Sequence, residues 1–186
     1  MNDLLRGKLV RLTSEDPEIM APLISRWSSD SEFWRLEDWD PARSLSVKAM
    51  RDWIEKHREE EMAYIFAIRR MEDDRIIGEV GLDGGVQWSH GDSFVGIALG
   101  EREFWGKGYG TDAMRVILHY AFTELNLRRV TLNVFEYNPR AIRSYEKAGF
   151  VLEGRERGAV LREGRRWDVL YMGILREEWE RGKSNR

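Results

Sequence analysis

Glycines at 106, 108 and 110 alternate with Lys107 and Tyr109 inside GIALGEREFWGKGYGTDAMRVIL, between an apolar run and a helical pattern. Glycine lets a backbone approach a ligand closely and adopt positive φ. The first amides of a helix have no partner within it, and the helix dipole favours an anion there. Strand, glycine turn and helix thus compose a seat that a pyrophosphate fits. A tight strand-to-helix connection would look the same. The named phosphate motifs do not fit. The spacing is G-x-G-x-G rather than G-x-G-x-x-G, and Lys107 is followed by glycine, not Ser or Thr.

A second stretch, NPRAIRSYEKAGF, covers residues 138–150. Asn138 suits a helix N-cap, Pro139 the first turn and Gly149 the C-terminal stop. Tyr145 follows Asn138 by seven residues, two helical turns along roughly the same face. Alone, Tyr145 reads as a packed aromatic and Asn138 as a cap. A third stretch, FWRLEDWD, gathers Phe33, Trp34, Glu37, Asp38, Trp39 and Asp40. Aromatics and carboxylates suit a cationic amine by cation–π and charge attraction. A surface loop covering the sheet is the alternative.

The elements that must position these residues read as one domain, 1–186, long enough for a sizeable core. Hydrophobic residues make up 42% and charged residues 34%, which excludes disordered and fibrous classes. The formal charge of −3 argues against direct nucleic-acid binding. With no cysteine, disulfides, thiolate metal sites and cysteine nucleophiles are excluded together, and a cytoplasmic location fits. His57, His90 and His119 have no metal-ligand spacing, so no metal is expected. The start, MNDLLRGKLVRL, has no long apolar run, so neither a signal peptide nor a membrane span is expected.

Strands are expected at Lys8–Leu12, Ala63–Arg69, Arg75–Leu82, Ser93–Leu99, Arg129–Val134, Val151–Glu156 and Val169–Ile174. Helices are expected at Pro17–Trp27, Ser46–Arg58, Thr111–Leu125 and from Asn138 to Gly149. FWRLEDWDPARS reads as irregular, Gly84 and Gly85 as a bend, and the terminal RGKSNR as frayed.

Taken in order, the glycine turn and the Asn138–Tyr145 helix resemble the acetyl-CoA signature of the GNAT superfamily. The likeness runs from KLVRLTSEDPE to VLYMGILREEW. It is most similar to the RimJ/RimL-type branch, which includes protein N-terminal and spermidine acetyltransferases. FTELNLRRVTLNVFEYNPRAIRSYEKAGF and EGRERGAVLREGRRWDVLYMGIL carry that narrower likeness. The resemblance implies an α/β (α+β) fold, a strongly twisted mixed sheet split into a V beside Ser93–Leu99, with helices on both faces. It also implies acetyl-CoA as cosubstrate. Pantetheine would pair with Ile97, Ala98 and Leu99, and the pyrophosphate would rest on Gly106, Lys107, Gly108, Tyr109, Gly110 and Thr111. Asn138 would face the pantetheine arm, and Tyr145 would approach the sulfur.

Two departures stand out. Trp105 occupies a place where relatives often carry Gln or Arg, and Phe94 one where they often carry a glutamate base. The implied reaction is direct attack by an amine on the thioester. A free alkyl amine with a pKa near ~10.4 is almost wholly protonated at pH 7, a cost of roughly 4–5 kcal/mol. A base, a water chain or a desolvating pocket must offset it. Glu79 on IIGEVGL is the base this reading selects, with Asp83, Asp92 and Glu101 as further carboxylates. Tyr145 suits the opposite role, protonating the departing thiolate. The acceptor is a small amine, a polyamine or a protein N-terminus. A non-catalytic acyl-CoA-binding or sensing module is the rival reading, and the oligomeric state stays open, a homodimer included.

Overall fold

The computed structural model describes residues 3–58, 63–83 and 90–184. A seven-stranded sheet runs in the order β1 (Val10–Thr13), β2 (Ala63–Arg70), β3 (Ile76–Asp83), β4 (Asp92–Leu99), β5 (Arg129–Phe135), β7 (Arg165–Leu175), β6 (Val151–Arg162). Every pairing is antiparallel except β4 with β5. That parallel pair holds over only three residues, Asp92 with Arg129, Ser93 with Val130 and Phe94 with Thr131. Beyond Phe94 the strands part, and the sheet opens into a V.

Helices cover both faces, as expected. On one side α4 (Tyr109–Thr123) buries Ala113, Met114, Ile117, Leu118, Ala121 and Phe122 against the sheet. Each large side chain removed from water in this way contributes about 1.5–3 kcal/mol. On the other side α1 (Pro17–Ser28), α2 (Ser31–Glu37) and α3 (Val47–Arg58) pack Met20, Ile24, Trp27, Phe33, Met50 and Ile54 against Ala67, Ile76 and Ala98. A small third cluster, Phe135, Val160 and Val169 with Tyr137, lies under the β6–β7 hairpin.

Two expectations are corrected. Part of FWRLEDWDPARS is helical, because Asp30 caps α2 by accepting from the amides of Glu32 and Phe33 at 3.0 and 3.2 Å. The terminal segment forms α6 (Arg176–Ser184) rather than fraying at Arg181. Trp179 pins it, stacking 5.1 Å from Phe122 and 5.9 Å from His119, with Lys183 over its ring. The final hairpin is also longer than expected, so β6 and β7 project past the end of β5. Gly84 and Gly85 lie outside the described residues.

Candidate active site

The V opens onto a cleft of about 470 Å³, within the usual range for small-molecule sites. Its first wall is the exposed edge of β4. Gly100 N–H donates to Ile77 O at 3.0 Å, which fixes the parity of the strand. Even-numbered residues therefore turn their backbone groups toward β3, while Val95, Ile97 and Leu99 turn theirs into the gap. Ile97 and Leu99 stand where an incoming arm could pair with them. Ala98 does not: its backbone belongs to the β3 ladder and its methyl is buried under the N-terminal helices. One further change separates this edge from a bare strand. Trp105 folds back and donates its indole N–H to Leu99 O at 2.6 Å.

The cleft mouth is the glycine turn. Gly106 and Gly108 take φ of 72° and 92°, and Gly108 is the N-cap of α4. The first helical bond runs from Asp112 N–H to Gly108 O, so the amides of Tyr109, Gly110 and Thr111 have no acceptor inside the helix. A Cβ built on Gly106 would meet no atom within 4 Å, so this face of the turn is open. Gly106, Gly108, Gly110 and Thr111 line the cleft. The Tyr109 ring turns away to pack 5.4 Å from Phe104, so that residue offers only its amide. Lys107 is not among the cleft-lining residues. Open amides at a helix N-terminus fit a pyrophosphate. Arg140, Arg143 and Lys147 of α5 (Pro139–Ala148) add positive charge along the same wall.

α5 also brings Asn138 and Tyr145 to the cleft, as their spacing suggests. Asn138 is buried, and its Oδ1 accepts from Ala141 N–H at 3.2 Å, capping the helix. Thr111 and Ser144 share a hydroxyl hydrogen bond of 2.8 Å, which ties α5 to the first turn of α4. The Tyr145 ring rests edge-on against Phe150, 6.1 Å away, with its polar end in the cleft. Burial and then the nearby Glu37 charge push the Tyr145 phenol well above its ordinary range. It stays protonated, and so keeps a proton to give.

Glu37, the last residue of α2, lines the opposite wall. It is solvent-exposed on the cleft wall, although many protein atoms crowd around its carboxyl. That desolvation, then the Glu79 and Asp38 charges, raise its carboxyl to about 8. Burial likewise raises Glu79 to about 7. Glu79 pairs with Ala67 and Ala98 in register, so its side chain shares their face, beneath the N-terminal helices. It is half-buried and does not line the cleft. The carboxylate expected to be the base thus lies outside the cleft lining but near Glu37, and Glu37, read from sequence only as one charge of a substrate-attracting segment, lines the cleft with Tyr145. The available signal was the Asp30 cap, which starts a helix that ends at Glu37.

Phe33, Leu36, Trp39, Phe94 and Phe135 complete the apolar part of the cleft. Among the described residues no group of His, Asp or Glu is arranged to hold a metal ion, and no helix is long and apolar enough to cross a membrane. Trp88, another tryptophan of possible acceptor contact, lies outside the described residues.

A mixed sheet split at its one parallel pair, with an anion-accepting glycine turn at the mouth, is the architecture of an acyl-coenzyme A-dependent transferase. The chain belongs to the GNAT acetyltransferase family, whose domain model, "Acetyltransferase (GNAT) domain", matches residues 6–151. It is an N-acetyltransferase using acetyl-CoA. The N-acetyltransferase p20 of Bacillus licheniformis, itself uncharacterised, is 30% identical over 171 residues, covering 91% of this chain and 95% of that protein. The [ribosomal protein uS5]-alanine N-acetyltransferase of Escherichia coli is 23% identical over 191 residues, 94% of this chain and 95% of the relative. In fold, the chain is similar to the spermidine N-acetyltransferase of Vibrio cholerae solved with CoA and spermine. The TM-score is 0.79 at 24% identity, over 92% of this chain and 96% of that one.

Proposed function

We propose that the cleft acetylates a primary amine whose body is cationic, such as a polyamine or a protein N-terminus, with Glu37 receiving the amine proton and Tyr145 protonating the leaving thiolate. The observation that carries this reading is the placement of a carboxyl, Glu37, and a phenol, Tyr145, on opposite walls of one cleft. Acetyl-CoA, when bound, supplies the activated acyl group. The amides of the Gly106 to Thr111 turn, the gap-facing backbone of Ile97 and the Leu99 N–H are the groups that would hold it, the Leu99 carbonyl being taken by Trp105.

An ammonium must lose two protons to become an amide. Glu37 takes the first and passes it to solvent, and its raised affinity for protons brings it closer to the amine. The second ends on the thiol, with Tyr145 donating and then being reprotonated. Glu79 acts at one remove, by making Glu37 harder to ionise. Asn138 holds the start of α5, and so the position of Tyr145. The uS5-alanine and spermidine acetyltransferases among the relatives support both acceptor types, and with them a place in the RimJ/RimL-type branch. A cytoplasmic location suits either acceptor.

Paired variants test the roles. Tyr145→Phe should lower kcat by about 10²–10³-fold with CoA affinity unchanged, in the range general acid catalysis supplies. Glu37→Gln should lower kcat and remove the acidic limb of the kcat/KM–pH profile. Unchanged kcat in both would return Tyr145 to a packing role and Glu37 to a wall charge.

A further inference from the structure

The base just described sits at the end of a seven-residue helix that leads into an open segment, and something must hold it. The next three carbonyls, of Asp38, Trp39 and Asp40, converge on one group. Arg162 Nη2, at the end of β6, lies 3.0, 2.7 and 3.0 Å from them. Arg162 is separated from these residues by more than 120 positions in sequence and approaches them from the other end of the chain. A guanidinium placed against the carbonyls that follow a helix C-terminus interacts favourably with the helix dipole. All three contacts come from Nη2, while Nη1 donates to Leu161 O at 3.2 Å, so one end of the guanidinium gathers the three carbonyls.

Other contacts close the same junction. Arg35 of α2 pairs with Glu163 of the hairpin tip at 2.7 Å. Tyr137 donates its hydroxyl proton to Arg35 O at 2.8 Å. Trp39 stands edge-on to Phe135 at 5.5 Å, Phe135 stacks on Tyr137 at 5.1 Å, and Tyr137 meets Trp167 at 5.4 Å. The cleft wall that carries Glu37 is therefore strapped to the β6–β7 hairpin, not merely laid on the sheet.

We infer that Arg162 is a positioning residue for acceptor binding and proton removal: by gathering the carbonyls of residues 38–40 it fixes Glu37 at the amine side of the cleft. This inference rests on the role proposed for Glu37. The groups facing Glu37 are Glu79 from β3, Asp38 beside it and Tyr145 from α5, and none of these bonds Arg162 through its side chain. A loosened wall leaves the acetyl-CoA wall of β4, α4 and α5 in place. The two substrates should therefore respond differently.

The test is steady-state kinetics on Arg162→Ala and Arg162→Lys, with spermidine and an N-terminal alanine peptide as acceptors. Misplacing a reacting group by about 1 Å can cost up to about 10²-fold. Arg162→Ala should raise the amine KM or lower kcat/KM for the amine by about tenfold, with the KM for acetyl-CoA within about twofold. Arg162→Lys should recover part of the loss. The acidic limb of the kcat/KM–pH profile should shift in Arg162→Ala, reporting a changed setting of Glu37. In a Glu37→Gln background, Arg162→Ala should have little further effect, because the positioned group is gone. Equal changes in both KM values, or a full additional loss in the Glu37→Gln background, would overturn the inference. If Glu37→Gln alone leaves the pH profile intact, the base assignment fails first, and the acetyl-CoA to amine KM split then decides Arg162 by itself. Should Arg162→Ala prove unfolded, Arg162→Lys provides the reading through the split between the amine and acetyl-CoA KM values, and unchanged amine KM in a folded Arg162→Lys would overturn the inference.

Discussion

Glu37 is a solvent-exposed carboxyl on the cleft wall, crowded by protein atoms beside Asp38 and near Glu79, and its affinity for protons is raised to about 8. Such a group stores a dependence of stability on pH. The folded pKa lies above the unfolded carboxyl value near ~4.3, so the folded state binds more protons between the two. Its contribution is fully present below the unfolded pKa and is lost as pH rises through the folded one. The Tm of the ligand-free protein should therefore fall from about pH 5 to pH 8, and Glu37→Gln should flatten that fall. Thermal melts of both proteins across this window decide it. Identical slopes would mean that Glu37 titrates as an ordinary surface acid. At this scale Tyr145 was legible because its motif spacing fixes its helical face. The choice between Glu79 and Glu37 was not. It depends on which side of a wall a side chain falls, and a strand pattern does not reveal the helix that will be laid over it.

The glycine turn is suited to its proposed role because it presents backbone amides, rather than side chains, to the cleft. Gly108 has φ of 92° and caps α4, a conformation that β-branched residues rarely adopt. Gly108→Val should weaken CoA binding by at least about tenfold, both by shielding the amides and by retilting the first turn. Calorimetry on a variant shown to be folded by circular dichroism checks this, and unchanged affinity would place the anion elsewhere. The turn and the strands beside it were readable because glycine spacing and apolar runs are local signals. The α2 helix was harder: seven residues, SEFWRLE, are too few to give a clear period, and only the Asp30 cap marks its start. α6 was missed for the opposite reason. Its polar sequence reads as a tail, and it is held as a helix by contacts remote in sequence, Trp179 on Phe122 and His119 and Arg176 on the carbonyls of Phe122 and Leu127.

At the scale of the molecule, the sheet divides the labour. The layer built around α4 and α5 forms the wall proposed for acetyl-CoA, while α1 to α3 cover the other face and end at the wall proposed for the acceptor. Only the short β4–β5 pairing joins the two halves of the sheet at the apex. The sequence conveyed the succession of strands and helices along the chain and the glycine turn, since those are encoded in contiguous segments. The acceptor side depends on the meeting of residues 35–40 with 162 and 163, which no local pattern records. The central claim is that this assembly acetylates cationic amines, and the direct measurement is CoA release at saturating acetyl-CoA over a panel of polyamines, alanine-terminated peptides, neutral amines and acidic amino acids. Turnover should be confined to acceptors with a cationic body and should rise from pH 6 to pH 8.5. Turnover of neutral or acidic amines alone would contradict the account.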